Sequence, residues 1–195
     1  MKNKLYFRPV IKYLLSLSVI IFICNLSCLN ASTQKGGPTR IIFIRHGEKE
    51  DKGDNLSCQG LNRALQLPKV LVGKYGVPNH IYVPSVSSKK STGHARMFQT
   101  ASPLAIKYGL SINSKFDVDD YKDFAQSLES QSGTVLVVWE HKSMDNILKA
   151  LDVKTHGEKW DDNDYDSIWV VTFKNGKGHL SMDKEGLSPQ ANCQF

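Results

Sequence analysis

Arg45-His46-Gly47-Glu48 sets a fixed cation, an imidazole, a flexible glycine and a carboxylate in four successive positions. A second imidazole stands in Glu140-His141, and a second guanidinium of interest is Arg96. A neutral imidazole nitrogen can attack phosphorus and form a covalent intermediate that water then hydrolyses. Arg presents a planar fork that matches phosphate oxygens and stays charged at any working pH. Two imidazoles and two guanidiniums around one centre therefore suit a dianionic phosphoryl group.

Such chemistry needs elements that bring distant residues together. Ile41-Ile42-Phe43-Ile44 is a β-branched, aromatic-containing run that reads as a buried strand over Arg40–Arg45. Val135-Leu136-Val137-Val138 marks a second one over Thr134–Trp139. Each strand delivers a histidine just past its carboxyl end, where active sites of open α/β sheets sit. Neighbouring parallel strands lie about 4.8 Å apart, so His46 and His141 could flank one small anion.

The remaining pattern alternates. Ser57 is an N-cap for a helix carrying Leu61, Ala64, Leu65 and Leu67, with Pro68 expected to kink or break it before Val70–Tyr75. A short strand follows over His80–Val83, then a polar loop over Pro84–Gly93 that includes Lys89-Lys90. Helical spacing is read over His94–Tyr108, with Pro103 expected at a break and Gly109 as the stop. Leu110–Asn113 is a third strand, and Asp119–Ser130 and Ser143–Leu151 read as helices. Trp160–Asp166 is an acidic, aromatic loop. Ser167–Phe173 and Gly178–Met182 form a hairpin around Asn175-Gly176. The expected fold is α/β: a three-layer α/β/α sandwich around a mostly parallel sheet with a C-terminal antiparallel hairpin.

With these motifs in order, the chain resembles the histidine phosphatase superfamily, also called phosphoglycerate-mutase-like, in its first branch. The matching residues are Arg45-His46-Gly47-Glu48, Leu56-Ser57-x-x-Gly60-x-x-Arg63-Ala64, Arg96-x-x-x-Thr100-Ala101 and Glu140-His141, across about residues 40–173. The resemblance implies a phosphatase in which His46 becomes a phosphohistidine while Arg45, Arg96 and His141 form the phosphate pocket. His46 must then be neutral, whereas His141 serves better charged. Ser57 could cap its helix or hydrogen-bond a phosphate oxygen. The leaving-group proton donor stays open among Glu48, Asp117, Asp119, Asp120 and Glu140. Hydrolysis of phosphohistidine or pyrophosphate in the same pocket, and a non-catalytic anion-binding module, are the alternatives.

At 195 residues and 41% hydrophobic, the chain suits one domain with a sizeable core. Residues 1–31 stand apart, with Lys2, Lys4, Arg8 and Lys12 before an apolar run from Leu14 to Ile23. They read as a signal peptide or membrane anchor, giving a periplasmic or secreted domain over residues 40–195 behind a linker at 32–39. Without that leader the Lys+Arg count falls from 25 to 21 against 19 acids, about +2, so basicity gives no case for nucleic-acid binding. The expected partner is a small phosphorylated substrate, with membrane attachment possible through the leader. Cys58 and Cys193 are expected to pair in an oxidising compartment. His80, His94, His156 and His179 lack metal-ligand spacing, so neither metal nor cofactor is expected.

Overall fold

The computed structural model describes residues 37–86 and 92–193. The leader, most of the linker and the Lys89-Lys90 loop tip lie outside the described residues.

Six strands form one sheet: β1 (Arg40–Arg45), β2 (His80–Tyr82), β3 (Ile112–Asn113), β4 (Thr134–Trp139), β5 (Ser167–Lys174) and β6 (Lys177–Lys184). Their spatial order is β3-β2-β4-β1-β5-β6. The first four in that order pair in parallel, and β5 and β6 add antiparallel neighbours beyond β1. The two apolar runs are the central pair, β4 and β1, in register from Arg40 opposite Thr134 to Arg45 opposite Trp139. A strand buried on both faces gains from apolar side chains at every position, which explains why these runs do not alternate with polar residues.

Among the described residues, four helices cover the sheet: α1 (Cys58–Tyr75), α2 (Ala95–Tyr108), α3 (Tyr121–Glu129) and α4 (His141–Ala150). Because side chains alternate along a strand, Ile42, Ile44, Leu136 and Val138 meet Leu67, Leu71, Met97 and Leu104 of α1 and α2. Ile41, Phe43, Val135 and Val137 meet Phe124, Leu128, Met144 and Ile147 of α3 and α4 on the other face. The three-layer sandwich read from the sequence is the observed architecture.

Several boundaries differ. Pro68 and Pro103 break neither helix: α1 and α2 run through them. Each proline removes one hydrogen bond, but Gly60, Ala64, Leu67 and Leu71 stay buried on both sides of Pro68, and that packing overrides local propensity. The third strand is only Ile112–Asn113. α4 starts two residues earlier than its apolar spacing suggests, with Glu140 at the N-cap and His141 as its first residue. The hairpin turn is as read: Asn175 and Gly176 have φ of 53° and 74°, the positive pair a tight type I′ connection demands.

Candidate active site

The β1–β4 register fixes the position of the nucleophile candidate. Past the last paired residues, the His46 backbone N–H donates to the Trp139 carbonyl at 3.2 Å. His141 follows two residues later, so both histidines emerge at the same edge of the sheet. The His46 ring is buried, at 4% exposure, and its Nδ1 lies 2.7 Å from the Gly47 carbonyl oxygen. A carbonyl only accepts, so Nδ1 carries the proton and Nε2 keeps its lone pair. Burial first, then the electrostatic influence of Arg45, Arg96 and His141, lowers the His46 pKa to about 4 against the Gly47 bond. The ring is neutral at pH 7, as a nucleophile requires.

The turn after β1 is clamped by two close approaches. A Cβ on Gly47 would stand 2.8 Å from the Gly60 carbonyl oxygen, and one on Gly60 would stand 2.2 Å from that of Glu48. Only glycine at both positions lets the turn lie this close to the first turn of α1. The Gly47 N–H donates to the Thr100 hydroxyl at 3.0 Å, and that hydroxyl donates to the Arg96 carbonyl one turn back in α2 at 2.7 Å. Ser57 accepts from the Gly60 N–H at 3.2 Å and donates its one hydroxyl proton to the Glu48 carbonyl at 3.2 Å. The hydroxyl caps α1 and directs its proton at the Glu48 carbonyl.

Glu48 is paired with Arg63. Both of its carboxylate oxygens accept from Arg63, from Nε at 3.1 and 3.0 Å and from Nη2 at 2.8 Å. A carboxylate held this way on a planar guanidinium anchors the turn to Arg63. Asp117 accepts from the Ser85 hydroxyl and is exposed, as are Asp119 and Asp120. Glu140 accepts from the Ser143 hydroxyl at 3.1 Å. Among the described residues, no hydrogen bond joins any of these carboxylates to His46.

Arg45 and His141 are braced by a loop whose sequence carries no motif. Arg45 donates through Nη1 to the Asp162 carbonyl at 2.6 Å and the Asp164 carbonyl at 3.3 Å. Its guanidinium lies 3.9 Å from the centroid of the Tyr165 ring, and Nη2 reaches the Tyr165 hydroxyl at 3.3 Å. His141 donates through Nε2 to the Asp162 carboxylate at 2.6 Å. Burial and Arg45 lower the His141 pKa despite Asp162, whose carboxyl is itself held down by the histidine. Asp162 is 79% exposed, so water screens its pull on a ring that is mostly buried. His141 is therefore pushed toward neutrality, away from the charged state that would serve it better.

Arg96 reaches the Gly53 carbonyl at 3.2 Å and the Asp54 carboxylate at 4.0 Å. Arg45 Nε, Arg96 Nε and His141 Nδ1 are buried and have no hydrogen-bond partner among the described residues. They belong to the same three residues whose charges bear on His46. Unsatisfied buried guanidinium N–H groups are costly, and an oxyanion with several lone pairs is the ligand that would satisfy them; His141 Nδ1 becomes a third donor only when that ring is protonated. The sequence identified all four of these residues. It missed Thr100 as a hydrogen-bond partner of the turn, Asp162, Asp164 and Tyr165 as braces, and Glu185, whose carboxylate meets Arg63 at 2.5 Å. The acidic, aromatic run at 160–166 was the only hint of the brace.

Trp160 packs against Trp169 with ring centroids 5.0 Å apart and donates to the Asp164 carbonyl at 2.8 Å, so it supports this loop from the core. The Cys58–Cys193 bridge is formed, with Cα atoms 4.8 Å apart. Among the described residues, no cluster of His, Cys, Asp and Glu could hold a metal ion, and no helix is long and apolar enough to cross a membrane.

No protein-family model and no curated protein sequence matches the chain. Solved structures do. A protein from Agrobacterium tumefaciens assigned as a phosphohistidine phosphatase superposes with a TM-score of 0.52 at 16% identity, covering 78% of this chain and 99% of that one. A mycobacterial glucosyl-3-phosphoglycerate phosphatase, solved with inorganic phosphate, superposes with a TM-score of 0.50 at 13% identity, covering 74% of this chain and 95% of that one. The domain thus has the histidine phosphatase fold.

Proposed function

We propose that this chain is an exported phosphatase that hydrolyses a small phosphorylated substrate through a phosphohistidine on His46. The observation that carries the proposal is the state of His46: Nδ1 is tied to Gly47, the ring is neutral, and the Arg45 and Arg96 guanidiniums and the His141 ring act on it together. In the first step Nε2 attacks phosphorus, the P–N bond forms and the P–O bond to the leaving group breaks. In the second, water attacks phosphorus, the P–N bond breaks and inorganic phosphate leaves. Charge that develops on the equatorial oxygens is met by preorganised donors from Arg45, Arg96 and His141. Fixed geometry costs no reorganisation at the moment of reaction, which is why the bracing of Arg45 matters. Export rests on the leader, and the Cys58–Cys193 bridge fits an oxidising compartment.

A second reading is favoured by one specific observation. Glu48, the carboxylate nearest the nucleophile in sequence, is engaged by Arg63 on both oxygens. A pocket without a placed acid suits a leaving group that departs without a proton, as in phosphohistidine or pyrophosphate hydrolysis. The A. tumefaciens neighbour is assigned to phosphohistidine, and the mycobacterial one acts on a phosphomonoester, so both chemistries are represented on this fold.

The exported domain is assayed on aryl phosphates of graded leaving-group pKa. His46→Ala is expected to abolish turnover while circular dichroism stays native, and equal activity in that variant overturns the nucleophile. A steep fall in rate as leaving-group pKa rises assigns the acid-free reaction, and a shallow one assigns an acid-assisted monoesterase.

A further inference from the structure

Glu185, which follows directly on β6, is buried with its side chain fully removed from solvent. We propose that it is a positioning residue of the active site, joining the nucleophile turn to the loop that braces Arg45 and His141; the catalytic part of this inference rests on the reading above.

Two arms meet at this residue. Through its side chain, Glu185 accepts from Arg63 Nη1 at 2.5 Å. The other edge of the same guanidinium grips Glu48, whose backbone carbonyl is bonded by Ser57 and packed on Gly60. Glu48 is two residues from His46, so the rotamer of Arg63 sets where the turn can lie. Through its backbone, Glu185 donates its N–H to the Asp166 carbonyl at 2.7 Å. Asp166 adjoins Tyr165 and Asp164, both of which touch Arg45. A planar fork held on both edges has one allowed orientation, which a single partner does not impose.

Charge supports the geometry. Glu48, Glu185 and Asp166 all lie within ion-pair distance of Arg63, which is one cation for three carboxyl groups. Burial pushes the Glu185 carboxyl up despite Arg63, and in either protonation state an oxygen remains to accept the Arg63 hydrogen bond. Its shape and its acceptor oxygen, rather than its charge, do the positioning. Glutamine at this position keeps both.

Glu185→Ala, Glu185→Gln and Arg63→Lys test this, each read by kcat and KM on an aryl phosphate, by thermal melting, and by the NMR titration of the His46 ring. Alanine is expected to lower kcat at least about tenfold with KM changed less than about twofold, because misplacement of reacting groups costs rate more than binding. It should also raise the His46 midpoint from about 4 toward the ordinary histidine value as the turn loosens and water enters. Loss of negative charge alone would move that midpoint down, so a rise reports position. Gln should restore both readouts, and Lys, which lacks the fork, should behave like the alanine variant. If the alanine variant does not fold, the lysine variant carries the test. A folded variant with unchanged kcat and unchanged His46 titration overturns the proposal. So does a fall in kcat that only tracks the unfolded fraction. Should the wild-type protein turn over no phosphate ester, the titration still decides the role of Glu185, and the phosphatase reading alone fails.

Discussion

The Gly47 N–H and the Thr100 hydroxyl meet at 3.0 Å, which ties the residue after the nucleophile candidate to the second helix of the sandwich. Thr100 is 1% exposed, and its own proton goes to the Arg96 carbonyl. One hydroxyl thus couples the His46 turn to the helix turn that carries Arg96. Thr100→Val keeps the shape and leaves the Gly47 N–H buried without a partner, a cost of about 1–3 kcal/mol. The expected outcome is a lower urea midpoint together with a reduced kcat, and Thr100→Ser should recover both. A valine variant with wild-type kcat would show that the turn holds itself.

What could be read from residues alone follows from how far each contact reaches along the chain. β1 and β4 were legible because a central parallel strand needs an unbroken apolar run, and the residues after each run are then placed by sheet geometry. His46, Arg45 and His141 came out of that logic, and Arg96 out of a helix start. The contacts that hold them in place came from nowhere local: Arg45 and Asp162 are 117 residues apart, and Arg63 and Glu185 are 122 apart. Asp162 acts partly through its backbone carbonyl, which no side-chain pattern encodes. Pro68 and Pro103 misled because propensity prices one lost hydrogen bond, whereas the buried face of each helix spans several turns.

Gly60 is the tightest point between the nucleophile turn and α1. A Cβ there would stand 2.2 Å from the Glu48 carbonyl oxygen and 2.8 Å from its nitrogen, both backbone atoms that cannot rotate away. Gly60→Ala must therefore push the turn off the helix or unwind the first turn, which would also break the Ser57 cap. The expected cost is about 3 kcal/mol or more, the upper range for a single substitution, with kcat falling further than stability. Calorimetry and steady-state kinetics on the same preparation check it. Gly73, whose added Cβ would meet nothing within 4 Å, is the control helix glycine, and its alanine variant should be neutral or stabilising.

His46 also carries a signature in the pH dependence of stability. Its folded pKa, about 4, lies below the ordinary 6.5, so between those values the unfolded chain binds more protons than the folded one. The contribution is fully present above pH 6.5 and is lost as pH falls toward 4. Denaturant midpoints taken across that range should drop in the wild-type protein and drop less in His46→Ala. Parallel curves for the two proteins would mean that the ring is not held neutral by its surroundings.

The Cys58–Cys193 bridge joins the first residue of α1 to the C-terminal tail across 135 residues. The tail is also held by Asn62, whose amide donates to the Gln190 and Asn192 carbonyls at 2.9 Å each. Loop closure of that size is worth about 2–5 kcal/mol, so Cys58→Ser should lower the melting temperature by roughly 5–15 °C in a domain of this length. Mass spectrometry after alkylation should find no free thiol on these two residues until a reductant is added. Because Cys58 opens the helix whose next turn carries Arg63, the reduced protein is also expected to lose some kcat.

Asp162 offers two contacts that one substitution can separate. Its carboxylate accepts from His141 Nε2, while its backbone carbonyl accepts from Arg45 Nη1. Asp162→Ala removes the first and leaves the second, so any effect belongs to His141. The carboxylate raises the His141 pKa against burial and against Arg45, and without it the midpoint should fall further. A more neutral His141 offers less positive charge to a bound dianion. Inhibition by inorganic phosphate at pH 7 should therefore weaken several-fold and KM should rise, with kcat changed less, because the nucleophile is untouched. The exposure of Asp162 keeps the effect modest. NMR titration of His141 beside phosphate inhibition checks both halves, and an unmoved midpoint would show that the contact does not tune the histidine.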